Sequence, residues 1–201
     1  MPRSTLRARN QQRARDEIVA AAYELFAERD YAGVTVADIA DRAGVGRTTF
    51  FRYFGDKQEV VFAGEEELLD NVARRHRELR LERPPSLPEA LALLRDTVAA
   101  VCAWATRDTD RYVLRERLIA ANPELDDRAA RKQRRLVELA GELLRQQGAS
   151  AETAALAPQV ALACYKAGHE VAAGDPAALW PSVGAAFDQL GVTSDAGPDQ
   201  T

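Results

Sequence analysis

Cysteine is scarce in this 201-residue chain, with only Cys102 and Cys164. Two cysteines cannot build a disulfide framework. With His76 and His169 as the only histidines, no zinc-ligand spacing forms either. No metal and no cofactor is therefore expected. Glycine (12) and proline (9) are too few for a collagen-like or wholly disordered chain. No run of apolar residues approaches the roughly 18 needed to span a membrane. The basic start is not followed by an apolar stretch, so no secretory signal is expected. Catalytic signatures are missing as well. Gly44-Val45-Gly46 follows a helical pattern and lacks the Lys and Ser/Thr of a phosphate loop. No serine elbow occurs, and Cys164 and His169, five apart, miss a shared helical face. The chain is not expected to be an enzyme, and catalytic and metal sites are both expected to be none.

What is present is ordinary hydrophobicity (46%) with many charges (29%), unevenly placed. Residues 1–55 hold nine Arg against seven acids, although the whole chain has net charge -4. The first fifteen residues carry Arg3, Arg7, Arg9, Arg13 and Arg15 and no acid, and are read as a flexible basic arm suited to an anionic partner. Beyond them nearly every segment follows the helical period, and no alternating strand pattern appears. The fold class is all-α, with about nine helices, over 16–29, 35–43, 46–54, 57–82, 87–106, 110–121, 124–147, 152–173 and 176–190. Arg83-Pro84-Pro85-Ser86, Asn122-Pro123, Gly148 and Gly174-Asp175-Pro176 mark boundaries, while Pro158 and Pro181 are placed near helix starts. Residues 191–201 read as a disordered tail.

Residues 35–54 carry the chemistry. Val36, Ile39, Ala40, Ala43, Val45, Phe50 and Phe54 are spaced to lock two short helices around a turn in which Gly44 supplies positive φ. Thr35, three before Asp38, is set to cap the first of them. The second then exposes Arg47, Thr48, Thr49, Phe51, Arg52 and Tyr53. That is the pattern of a helix-turn-helix, whose second helix enters the major groove. Arginine there can pair with guanine O6/N7, and apolar groups can meet a thymine methyl. A buried helical hairpin is the structural alternative, but Phe51 and Tyr53 cannot share one inward stripe with Phe50 and Phe54.

Over Ile18–Val61 the sequence closely resembles the TetR family of transcriptional regulators. The resemblance rests on Ile18, Ala22, Leu25, Phe26, Tyr31, Gly33, Thr35, Val36, Ile39, Ala40, Ala43-Gly44-Val45, Thr49-Phe50, Tyr53-Phe54 and Lys57. It implies a three-helix DNA-binding domain (16–56) and a ligand-binding and dimerisation domain (57–190), assembled as a homodimer in the bacterial cytoplasm. Thr35, Tyr53 and Lys57 would then bind phosphate, and Arg47, Thr48, Phe51 and Arg52 would face bases. Gly46 replaces the frequent Ser, and Phe51 the frequent Tyr. The Phe50–Phe54 run, with Lys57 and the acidic patch Glu65, Glu66, Glu67 and Asp70, resembles a subgroup associated with fatty-acyl or acyl-CoA-like ligands.

The function expected is thus a ligand-responsive repressor, released from a palindromic double-stranded operator by a small hydrophobic inducer. An all-helical carrier of acyl or hydrophobic ligands is the alternative, and it leaves Arg47–Lys57 unexplained. Candidate ligand residues are Leu69, Val72, His76, Val98, Cys102, Tyr112, Arg115, Ile119, Leu139, Tyr165 and His169, a mostly apolar set with a few placed polar groups. The small-residue-rich last two helices suggest a close-packed dimer interface through Leu156, Val160, Tyr165, Val171, Trp180, Val183 and Phe187.

Overall fold

A computed structural model describes residues 3–79 and 81–192. Among these there are ten α-helices and no strand: α1 (Arg3–Glu28), α2 (Val36–Arg42), α3 (Arg47–Tyr53), α4 (Lys57–Val61), α5 (Glu65–Glu78), α6 (Leu87–Ala105), α7 (Thr109–Ala121), α8 (Pro123–Gln146), α9 (Ala151–Ala172) and α10 (Pro176–Asp188). A single 3-10 turn, Tyr31–Gly33, links α1 to α2. No helix of the described residues is long and apolar enough to cross a membrane.

Two helix boundaries differ from those read in the sequence. The first helix begins at Arg3, not near residue 16, because nothing in residues 3–15 breaks a helix and Arg13 pairs with Glu17 one turn on, at 2.9 Å. The long helix expected over 57–82 is two, α4 and α5, separated at Phe62–Gly64. Gly64 makes the break. Its φ of +90° is a conformation that residues with a side chain rarely adopt, and a Cβ there would stand 2.9 Å from the Trp104 ring. Pro158 and Pro181 lie inside α9 and α10, not at their starts. Pro158 cannot donate to the Ala154 carbonyl, and the α8 backbone approaches that oxygen at Gly141, where a Cβ would sit 2.8 Å away.

Two apolar cores organise the chain. The first gathers Ile18, Leu25 and Phe26 of α1, Ile39 and Ala40 of α2, Phe50 and Phe54 of α3, and Val60 and Val61 of α4. Leu118 of α7 and Leu125 of α8 complete it, so the C-terminal helices reach into the N-terminal core. Tyr23 strengthens that junction by donating to the Val61 carbonyl at 2.9 Å. The second core joins α6, α9 and α10 through Leu91, Leu94, Ala157, Ala161, Leu179, Val183 and Phe187. There Gly168 lets α9 lie directly on the α10 backbone at Val183.

Candidate nucleic-acid interface and effector region

The interface is built from local signals. Thr35 caps α2 reciprocally: its Oγ1 accepts from the Asp38 N–H at 3.1 Å, and the Asp38 carboxylate accepts from the Thr35 N–H at 2.9 Å. The Thr35 hydroxyl, donating to the same carboxylate at 2.7 Å, and then the Thr35 N–H hold the Asp38 carboxyl below its usual pKa. Gly44 takes φ +65° in the turn, and Gly46 caps α3 with backbone alone. Phe50 and Phe54 then point into the core, tilted against each other at 5.8 Å. This orientation leaves Arg47, Thr48, Phe51 and Arg52 on the outer face. Phe51 is 49% exposed, which is costly for an apolar ring with no ligand, and stands edge-on to Phe50. Thr49 and Tyr53 are half-buried, and the Arg52 guanidinium lies over the Tyr53 ring at 5.0 Å.

Lys57 is held differently from the phosphate contact expected of it. Its ammonium donates to the carbonyls of Tyr31 (2.7 Å) and Val34 (2.9 Å) and lies over the Tyr31 ring at 3.9 Å. Burial pushes its pKa down. Two of its three N–H groups thus tie α4 to the loop before α2.

Sequence reasoning missed an ionic ladder that joins this head to the C-terminal helices. Asp56 caps α4 by accepting from the Glu59 N–H at 2.9 Å. Arg128 of α8 donates to Asp56 (3.0 Å), to Gln58 (3.0 Å) and to Glu59. Lys132, one turn later on α8, is 3.2 Å from Glu59 and 3.9 Å from Glu65 at the start of α5. Glu65 accepts from Arg115 of α7 at 3.3 Å, and Arg115 lies 3.6 Å from Glu116. His169 of α9 ends the ladder, 2.7 Å from Glu116. A signal for part of it was available: Asp56 and Glu59 are three apart, Arg128 and Lys132 four apart, so each pair shares one helical face.

The expected effector residues divide. Tyr112, Arg115, Tyr165 and His169 come together between α7 and α9, with Cys102 of α6 within electrostatic reach of the two tyrosines. Burial pushes the Tyr112 hydroxyl up to about 12 and the Cys102 thiol likewise to about 12. Val98 and Tyr165 pack on the second core, while Ile119 packs instead on the first, behind the DNA-binding helices. Leu69, Val72 and Leu139 are half-buried. His76 is held within the fold through one ring nitrogen, while its Nδ1 is buried without a partner among the described residues. Thr97 gives its hydroxyl proton to the Leu93 carbonyl, so His76 Nε2 is the donor in its 2.6 Å bond to Thr97. Burial, and then the Arg75 charge, lowers its pKa and so favours the neutral ring. An open cleft of about 600 Å³ lies elsewhere, between α1 (Asp16, Tyr23), the Gly64 bend and the α6–α7 turn (Asp108, Arg111). None of the expected effector residues lines it.

The expected dimer surface is corrected in part. Val183 and Phe187 are fully buried in the second core, because the α10 face that meets Gly168 of α9 is the inward one. Val160, Tyr165 and Trp180 are half-buried. Val171 (75% exposed) and Leu156 (48%) are the members left on the surface of α9.

Comparison with known proteins agrees with this architecture. Residues 18–63 match the family model of bacterial regulatory proteins, tetR family. The HTH-type transcriptional regulator TcmR of Streptomyces glaucescens is 44% identical over 56 residues, 28% of this chain and 25% of the relative. The HTH-type transcriptional regulator HbdR of Aromatoleum sp. (strain CIB) is 32% identical over 101 residues, 50% of this chain and 42% of the relative. The chain therefore spans less than half the length of these two relatives. In fold it is similar to Thermus thermophilus FadR, a TetR family transcriptional repressor solved in complex with lauroyl-CoA. That likeness has TM-score 0.56 and 23% identity, and covers 93% of this chain and 99% of the other. Residues 18–63, which hold α2 and α3 and the loop that Lys57 ties down, are thus the part of the chain that matches the tetR family of bacterial regulatory proteins.

Proposed function

We propose that the protein is a ligand-responsive transcriptional repressor that binds a palindromic double-stranded operator as a homodimer and is released by a small hydrophobic effector. One observation carries this reading: α3 turns Phe50 and Phe54 inward while leaving Arg47, Thr48, half-exposed Phe51 and Arg52 outward on a capped helix-turn-helix. Such a face supplies what a major groove reads, namely a guanidinium for guanine and an apolar group for a thymine methyl. The acidic whole-chain charge does not oppose it, because phosphate attraction depends on charge local to the binding face.

Exposed Val171 and Leu156 on the small-residue helix α9 support dimerisation, which would present two recognition helices to successive turns of DNA. A bound lauroyl-CoA in the FadR structure supports an effector with an apolar chain. Tyr112, Arg115, Tyr165 and His169 would receive its polar end.

A gel shift over a salt series, on fragments selected from genomic DNA, tests the reading. The expected result is one protected palindrome with steep salt dependence. Arg47→Ala should then cost about 1–3 kcal/mol and relax specificity at one base pair, while Tyr53→Phe should weaken all sequences alike. A folded protein that selects no site at low salt would return the chain to the carrier reading.

A further inference from the structure

Arg115 is the under-used cation of the effector region. Three other arginines of this region are occupied: Arg111 lies over the Tyr23 ring at 4.4 Å, Arg107 over Trp104 at 4.8 Å, and Arg128 is wrapped by Asp56, Gln58 and Glu59. A guanidinium has five N–H donors. Arg115 makes one hydrogen bond among the described residues, the 3.3 Å contact to Glu65. Its Nε is buried without a partner, since Glu116 at 3.6 Å is too far to accept. One turn earlier on the same face of α7, the Tyr112 hydroxyl is also buried and unpartnered, in a side chain only 2% exposed. Two buried donors three residues apart on one helix, neither with a hydrogen-bond partner, call for an acceptor.

We propose that the effector is a carboxylic acid whose carboxylate takes the Arg115 guanidinium in place of Glu65, with the Tyr112 hydroxyl donating to the same group. This rests on reading the chain as an effector-released regulator. A carboxylate offers about four acceptor sites and pairs with a guanidinium through two parallel bonds, which neither an alcohol nor an amine can do.

Glu65 is the replaceable partner. Its contact with Arg115 is long, and its second oxygen already lies 3.9 Å from Lys132. Burial raises its carboxyl pKa, which favours giving up the charge. Glu116 is not replaceable, being anchored by His169 at 2.7 Å. The exchange explains how occupation would reach the DNA-binding head. A Glu65 displaced towards Lys132 competes with Glu59 for that ammonium and loosens the hold of α8 on α4, the helix that follows the recognition helix. Effector and operator are then linked through one two-state contact.

The test is direct ligand binding to the full chain in the absence of DNA, by calorimetry. The probes are dodecanoate and benzoate, each against its alcohol (dodecan-1-ol, benzyl alcohol), with dodecylamine and dodecanoyl-CoA as further arms. At least one carboxylate is expected to bind tenfold or more tighter than its alcohol. Arg115→Gln should erase that preference. Glu65→Gln should tighten the carboxylate several-fold, and it keeps the proposal testable if Arg115→Gln fails to fold. Equal binding of acid and alcohol, binding of the thioester or the amine alone, a preference that survives Arg115→Gln, or no binding of either carboxylate would each overturn the proposal. Because no DNA is present, these outcomes are separate from failure of the repressor reading, which shows as loss of operator selection.

Discussion

Replacing Gly168 with alanine tests whether α9 and α10 are held by backbone contact. A methyl at Gly168 would overlap the N and Cα of Val183 and stand 2.6 Å from Val183 Cγ2. Overpacking of this kind costs about 1–3 kcal/mol. Backbone atoms cannot rotate away as a side chain can, so the upper end applies. Against this, alanine in a helix interior gains about 0.5–1 kcal/mol over glycine. The net loss is therefore about 2 kcal/mol. At roughly 2–4 °C per kcal/mol for a chain of this size, the melting temperature should fall by roughly 4–8 °C.

Gly184, buried in α10 as Gly168 is in α9, supplies the control, because a Cβ there would meet Trp180 at an ordinary 3.7 Å. Gly184→Ala should leave the melting temperature unchanged or raise it slightly. Thermal denaturation followed by circular dichroism, at one fixed protein concentration, reads both. If Gly168→Ala melts with the wild type, the close α9–α10 contact is wrong, and with it the burial of Val183 and Phe187.

Two further outcomes follow from the same geometry. Thr35→Ala removes one half of the capping box on α2 and should cost about 1 kcal/mol, read as a lowered urea midpoint with an unchanged slope. The hydrogen bond to Glu116 holds His169 above its ordinary pKa, so the protonated ring favours the folded state. That stabilisation is full below about pH 6.5 and is lost as pH rises through the raised folded-state value. The stability difference between wild type and His169→Gln should therefore shrink from pH 6 upwards. A flat difference across that range would mean the pair contributes nothing. His76 has the opposite shift, and it cancels in this comparison because both proteins carry it.

The reading head was legible in the sequence because its determinants are local. The Thr35–Asp38 box spans three residues, Gly44 answers a turn within its own segment, and Phe50 and Phe54 differ by one helical turn. Spacing alone places such groups, since the helix fixes which residues share a face before any tertiary contact forms. Helical class and the later boundaries were legible for the same reason. The split of α4 from α5 was not, because it depends on Gly64 meeting Trp104, forty residues away.

Lys57 shows a second limit: its acceptors are the backbone carbonyls of Tyr31 and Val34, and every residue has a carbonyl, so no sequence pattern marks them. In the alanine-rich α9 and α10, both faces carry small and apolar groups. Only packing decided that Val183 faces Gly168 and Phe187 is buried while Val171 faces outward. The ionic ladder is the extreme case. Its central bonds join residues 69 to 73 apart in sequence, and such pairs become neighbours only once α8 lies across α4. Sequence by itself determined the helical class and the outward side chains of α3, through contacts within a turn or two. The tertiary structure decided which charges meet, because it sets distances between segments that no periodicity relates.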